Sequence, residues 1–165
     1  MELKTIFGLP AHILVVHAAV VLVPLAAIAM ILITCVPRWR LNHSLLGALF
    51  SAAAVTTVAL ASQTGESLAE SVKRTDLVRH HVQQAENVLP FTIGLAVIAG
   101  ALLLLRIAEW KKFDIYSKTK LSKKFLTRLL TAGAIFFGAT STYFVTQVGH
   151  SGAKATWSNV LIQDK

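Results

Sequence analysis

The residues of this chain best equipped for chemistry are its 6 histidines: His12, His17, His43, His80, His81 and His150. A neutral imidazole ligates transition metals through a ring nitrogen, and the ring gains or loses a proton near neutral pH. His17 stands among Val15, Val16, Ala18 and Ala19, an apolar setting in which an ionisable group is costly and marks a candidate site. His12 and His17 are five positions apart, about 140° around a helix, so the two cannot aim at one point. His80 and His81 diverge by about 100° for the same reason, and His81 is the one that continues the stripe of Val78 and Val82. His150 ends an apolar run with Gln147 on its face. His17, His81 and His150 are therefore the preferred convergent set. With Glu66 they form a plausible ligand set for zinc, copper or iron. His12 reads as an interfacial residue near the headgroups, and His43 and His80 as solvated surface.

Other chemistry is poorly represented. Cys35 is the single cysteine, which leaves no disulfide framework and no paired-cysteine metal knuckle. Ser151 beside His150 makes no hydrolytic dyad, because acyl transfer needs nucleophile, base and oxyanion donors in a defined geometry. The chain carries no phosphate-binding loop, nucleotide fingerprint or pair of catalytic carboxylates. A redox role is the enzymatic possibility that stays open.

The elements that must position these histidines follow from composition. Hydrophobic residues make up 55% of 165 residues and charged residues 15%, against about 25% charged in soluble domains. Four apolar segments, at about 13–36, 45–62, 88–107 and 126–148, each approach the ~20 residues a helix needs to cross a bilayer. Backbone polar groups in hydrocarbon must be satisfied within the segment, so these runs read as helices. The expected fold is all-α: one domain over 1–165, an integral membrane four-helix bundle with up-down topology. The stretch Ser67–Gln84 adds an amphipathic helix between spans two and three, with Leu68, Val72, Thr75, Val78 and Val82 at helical spacing. No removable signal peptide is expected.

Net charge is +8, and its distribution orients the bundle. The hairpin loops 37–43 and 106–128 carry ten Lys and Arg against Glu109 and Asp114. The opposite side, with both termini and the loop between spans two and three, carries six cations and six acids. Positively charged loops stay in the cytoplasm, so both termini and five of the histidines are expected outside. The basic segment with Lys118, Lys120, Lys123 and Lys124 is read as a topology determinant touching lipid headgroups; no nucleic-acid partner is expected. Small-residue stripes, Ala134, Gly138, Thr142, Thr146 and His150 in the last span and Gly47, Ala48, Ser51, Ala52, Thr56 and Ala59 in the second, permit close helix contact and a possible homo-oligomer.

An ordered set of short motifs adds a resemblance. Gly8-Leu9-Pro10-x-His12, His17 and Pro24 come first, then Thr64-Gly65-Glu66-x-Leu68, then His81. Gly149-His150-Ser151-Gly152-Ala153 with Trp157 completes it. Together, over nearly the whole chain, these resemble a bacterial four-span membrane family catalogued as domain of unknown function 2231. Its relatives look like membrane companions of Rieske iron–sulfur and c-type cytochrome domains. That resemblance implies a bacterial inner-membrane protein concerned with electron transfer. It points to haem b, with His17 and His150 as axial pair, His81 as substitute and Arg79 or Lys154 meeting the propionates. It also implies a Rieske or cytochrome c type partner on the outer side, as a separate polypeptide. The alternatives are a divalent transition metal without porphyrin, or a non-catalytic subunit of a respiratory membrane complex.

Overall fold

A computed structural model describes residues 5–6, 9–112 and 122–162, with side chains described over 10–112 and 122–158. Lys118, Lys120, Asp114 and Gly8 of the sequence reading lie outside these. A two-residue antiparallel pairing, β1 (Thr5–Ile6) with β2 (Leu9–Pro10), leads into the first helix.

Helix α1 (Ala11–Cys35) contains Pro24, a residue that membrane helices tolerate. A single turn, α2 (Trp39–Asn42), separates it from α3 (Ser44–Ser71). Then come α4 (Asp76–Ala85), α5 (Val88–Trp110) and α6 (Lys123–Ile162). Four helical stretches are long and apolar enough to cross a membrane, one of them α4 and α5 taken together.

Several boundaries differ from the sequence reading. Helix α3 does not close at Gln63-Thr64-Gly65 but runs on to Ser71. Glycine inside a helix costs only about 1 kcal/mol, and Gly65 sits against the His12 ring. The surface helix expected over Ser67–Gln84 is consequently divided: its first turn belongs to α3, and Val72 and Thr75 are extended. The Thr75 hydroxyl then accepts the Val78 N–H at 3.3 Å, an N-cap that starts α4 afresh. Likewise α6 begins before the expected 126 and continues well past 148.

Helix α1 packs against α3 and α6, and α5 packs against the same two, so the bundle closes as a ring. Its seams advance in alternating steps of three and four residues. Buried positions are Ala19, Val23, Ala26, Met30 and Ile33 on α1, and Ser44, Gly47, Ser51, Ala54 and Val58 on α3. On α5 they are Val88, Thr92, Leu95, Ala99 and Leu102. That alternation keeps one stripe facing its partners, as in coiled coils. Many seam residues are small, which suits helices that associate by close packing rather than by escape from water. Gly94 takes the Phe137 ring, Gly133 takes Ile98, and Gly47 takes Met30.

The up-down arrangement gathers the start of α1, the end of α3, α4 and the far part of α6 at one end, the histidine end. The end of α1, α2, the end of α5 and the start of α6 share the other, basic end. There the Thr34 carbonyl accepts both Nε and Nη2 of Arg40, at 3.2 and 2.7 Å, and the Thr131 hydroxyl at 3.3 Å. One carbonyl thus ties α1, α2 and α6 together.

Candidate functional site

Two imidazoles meet at the histidine end, but they are not the expected pair. His12, from the first turn of α1, and His81, from α4, lie edge-to-face with ring centroids 6.3 Å apart and planes at 74°. Both are half-buried. His12 belongs here because it lies one heptad before Ala19, which places it on the buried seam of α1 together with Ala26 and Ile33.

Each ring has a hydrogen-bond partner at Nδ1. His12 Nδ1 lies 3.0 Å from the Ala61 carbonyl, which can only accept, so Nδ1 carries the hydrogen. His81 Nδ1 lies 3.1 Å from Ser151 Oγ. The Ser151 hydroxyl already donates to the Val148 carbonyl at 3.1 Å, so toward His81 it can only accept. In both rings the contact is made through Nδ1, and among the described residues no contact is recorded for Nε2. Anchoring one ring nitrogen so that the other faces a ligand is how proteins prepare histidines for metals.

Glycines shape the floor under each ring. A Cβ at Gly65 of α3 would stand 2.9 Å from His12 Cε1, and one at Gly152 of α6 would stand 3.0 Å from His81 Cε1. Each imidazole lies where a side chain would otherwise be. Thr64 Oγ1 approaches His12 Nδ1 at 3.5 Å while donating to the Leu60 carbonyl at 2.7 Å. Gln84, one turn from His81 on the same side of α4, has a buried Oε1 without a hydrogen-bond partner.

The remaining sequence candidates are placed elsewhere. His17 is exposed on the outward side of α1, its Nδ1 turned back to the Ile13 carbonyl at 2.6 Å. His150 is exposed on α6. Four-residue spacing explains the misplacement: each step of four drifts about 40° around a helix. The stripe therefore starts buried at Ala134 and Gly138 and reaches the exposed side by Thr146 and His150. The neighbouring Ser151, set aside as a hydrolytic residue, is the one that faces inward. Glu66 and Lys154 are exposed, and Arg79 is exposed beside Asp76 at 3.8 Å. The ligand set His17, His81, His150 and Glu66 is thus not assembled. Among the described residues no group of three or more His, Cys, Asp or Glu is placed to hold a metal ion.

Sequence reasoning missed His12, Thr64 and Ser151. A signal for His12 was present in its heptad spacing to Ala19, Ala26 and Ile33, all small or apolar. Ser151 and Gly152 could not be recognised without knowing that α4 folds back onto α6.

Comparison with curated proteins and with solved structures gives no match. The motif set carried by these same segments does have a counterpart among protein families, and its family model runs through all four long helices. The chain belongs to the family described as Predicted membrane protein (DUF2231), matched over residues 8–165.

Proposed function

We propose that this chain is a membrane haem protein that passes electrons, in which His12 and His81 would hold the haem iron. The observation that carries the reading is the pair itself: two half-buried imidazoles from different helices in ring contact, each held through Nδ1. Their centroids lie 6.3 Å apart, so the two rings meet directly at this end. A porphyrin supplies four ligands of its own and asks the protein for only two. A bare zinc or copper site asks for three or more, which the described residues do not gather. The haem would supply a one-electron couple; the chain's residues orient the rings, screen them from water and set the potential.

Ser151 and the Ala61 carbonyl fix the ring orientations, and Gly65 and Gly152 leave the space against which the rings lie. The buried Gln84 oxygen is a further acceptor beside His81. By the charge asymmetry the histidine end faces outward from a bacterial inner membrane, where a Rieske or cytochrome c type domain would exchange electrons with it.

Absorbance of the full-length protein purified from membranes tests the reading. A Soret band is expected in the wild type, in His17→Ala and in His150→Ala, and is lost in His12→Ala and in His81→Ala. A wild type without the band overturns the proposal, as does a band that survives in both of the last two variants.

A further inference from the structure

At the basic end, a pocket of about 300 Å³ opens between α2 and the start of α6, lined by Arg40, Lys123, Lys124, Thr127 and Arg128. We propose that it binds the phosphate group of an anionic phospholipid. Four cations around one small concavity repel one another, and Lys124 and Arg128, four apart on a helix, are a pair that destabilises it unless an anion intervenes. Lys123 has Glu109 at 3.5 Å. Among the described residues Arg40, Lys124 and Arg128 have no carboxylate partner. The first turn of α6 also contains no acid, although that is where a helix favours negative charge.

Geometry adds rigidity. Arg40 is pinned by its two bonds to the Thr34 carbonyl, and Thr131 of α6 holds the same carbonyl. One wall of the pocket is thus fixed to the other before a ligand arrives, which lowers the ordering cost of binding. What lies beyond the cations points to lipid as the source of the phosphate. Phe125 and Leu129 are exposed on the same first turns of α6, at 56% and 55%, and Trp39 beside Arg40 at 39%. Headgroup charges above an apolar, Trp-edged surface match the layering of a bilayer leaflet. Basic pockets between helices on the cytoplasmic side bind anionic headgroups by this chemistry.

Native mass spectrometry of the full chain tests the site, with phosphatidylglycerol, phosphatidylcholine and inorganic phosphate as separate probes. The wild type is expected to retain phosphatidylglycerol over phosphatidylcholine by about tenfold or more, as a few cations near one phosphate supply. The double variant Lys124→Ala/Arg128→Ala should bring the two lipids near parity. Lys124→Arg/Arg128→Lys should restore the preference, which guards against a merely misfolded variant. Lys111→Ala/Lys112→Ala removes as much charge from the same end but outside the pocket, and should keep it. If inorganic phosphate binds in a way that the double variant abolishes while the two lipids do not differ, phosphate recognition stands and the lipid source is overturned. Equal lipid binding in wild type and double variant, with no phosphate binding, overturns the proposal. So does a preference that falls as far in Lys111→Ala/Lys112→Ala, since total charge rather than the pocket would then carry it.

Discussion

At the scale of single residues, the site depends on what each imidazole leans on. Ser151→Ala removes the acceptor that fixes His81. Side-chain hydrogen bonds within membrane proteins are worth about 0.6 kcal/mol, so the thermal midpoint should drop only slightly. Losing that acceptor also makes the ring a poorer electron donor, so the reduction potential of the haem form should rise, as a redox titration would record. Gly65→Ala is expected to cost more. Its Cβ would stand 2.9 Å from a ring pinned to the Ala61 carbonyl, and overpacking of this kind typically costs 1–3 kcal/mol. Thermal unfolding should show that loss, together with weakened haem retention. The same residues show what could be read from the sequence. That an imidazole from the start of α1 meets one from the α3–α5 connection was legible. Which imidazole was not, because depth in an apolar run favoured His17 while helical phase favoured His12. His81 was found because its neighbours Val78 and Val82 mark the inward side of α4. His150 was chosen over Ser151 by following a four-residue stripe, whose drift carries it off the packed side.

At the scale of elements, the four apolar runs became α1, α3, α5 and α6 because a chain in hydrocarbon has little choice but to satisfy its backbone locally. What composition could not reveal was how far α3 and α6 extend past the apolar runs, since those extensions are held by polar and tertiary contacts. Nor could it reveal the break at 72–75, where a threonine cap competes with continued helix. Thr75→Ala should therefore loosen α4 by about 1 kcal/mol, the usual worth of such a cap. Faster hydrogen exchange confined to 76–85 would record this, with α1 unchanged; uniform acceleration across the bundle would contradict it. In the α5–α6 interface, a Cβ at Gly94 would come within 2.3 Å of the Phe137 ring. Gly94→Ala should destabilise the bundle by about 1–3 kcal/mol, measured by thermal unfolding in detergent.

At the scale of the whole molecule, loops 37–43 and 106–128 carry ten Lys and Arg against two acids, and the rest of the chain six of each. The orientation proposed from that asymmetry is tested with a thiol-reactive, membrane-impermeant label. Cys35 is exposed near the basic end. It should react in inverted vesicles and not in intact cells, while a Cys35→Ser/His80→Cys variant should show the reverse. Identical accessibility in both preparations would exclude it. One consequence of the proposed site concerns folding. His12 is fastened to α3 and His81 to α6, so a cofactor joining the two rings also joins helices far apart in sequence. On the proposed reading, haem present at a hundred times its dissociation constant would add about 2.7 kcal/mol to folding, so loaded protein should resist proteolysis longer than unloaded protein.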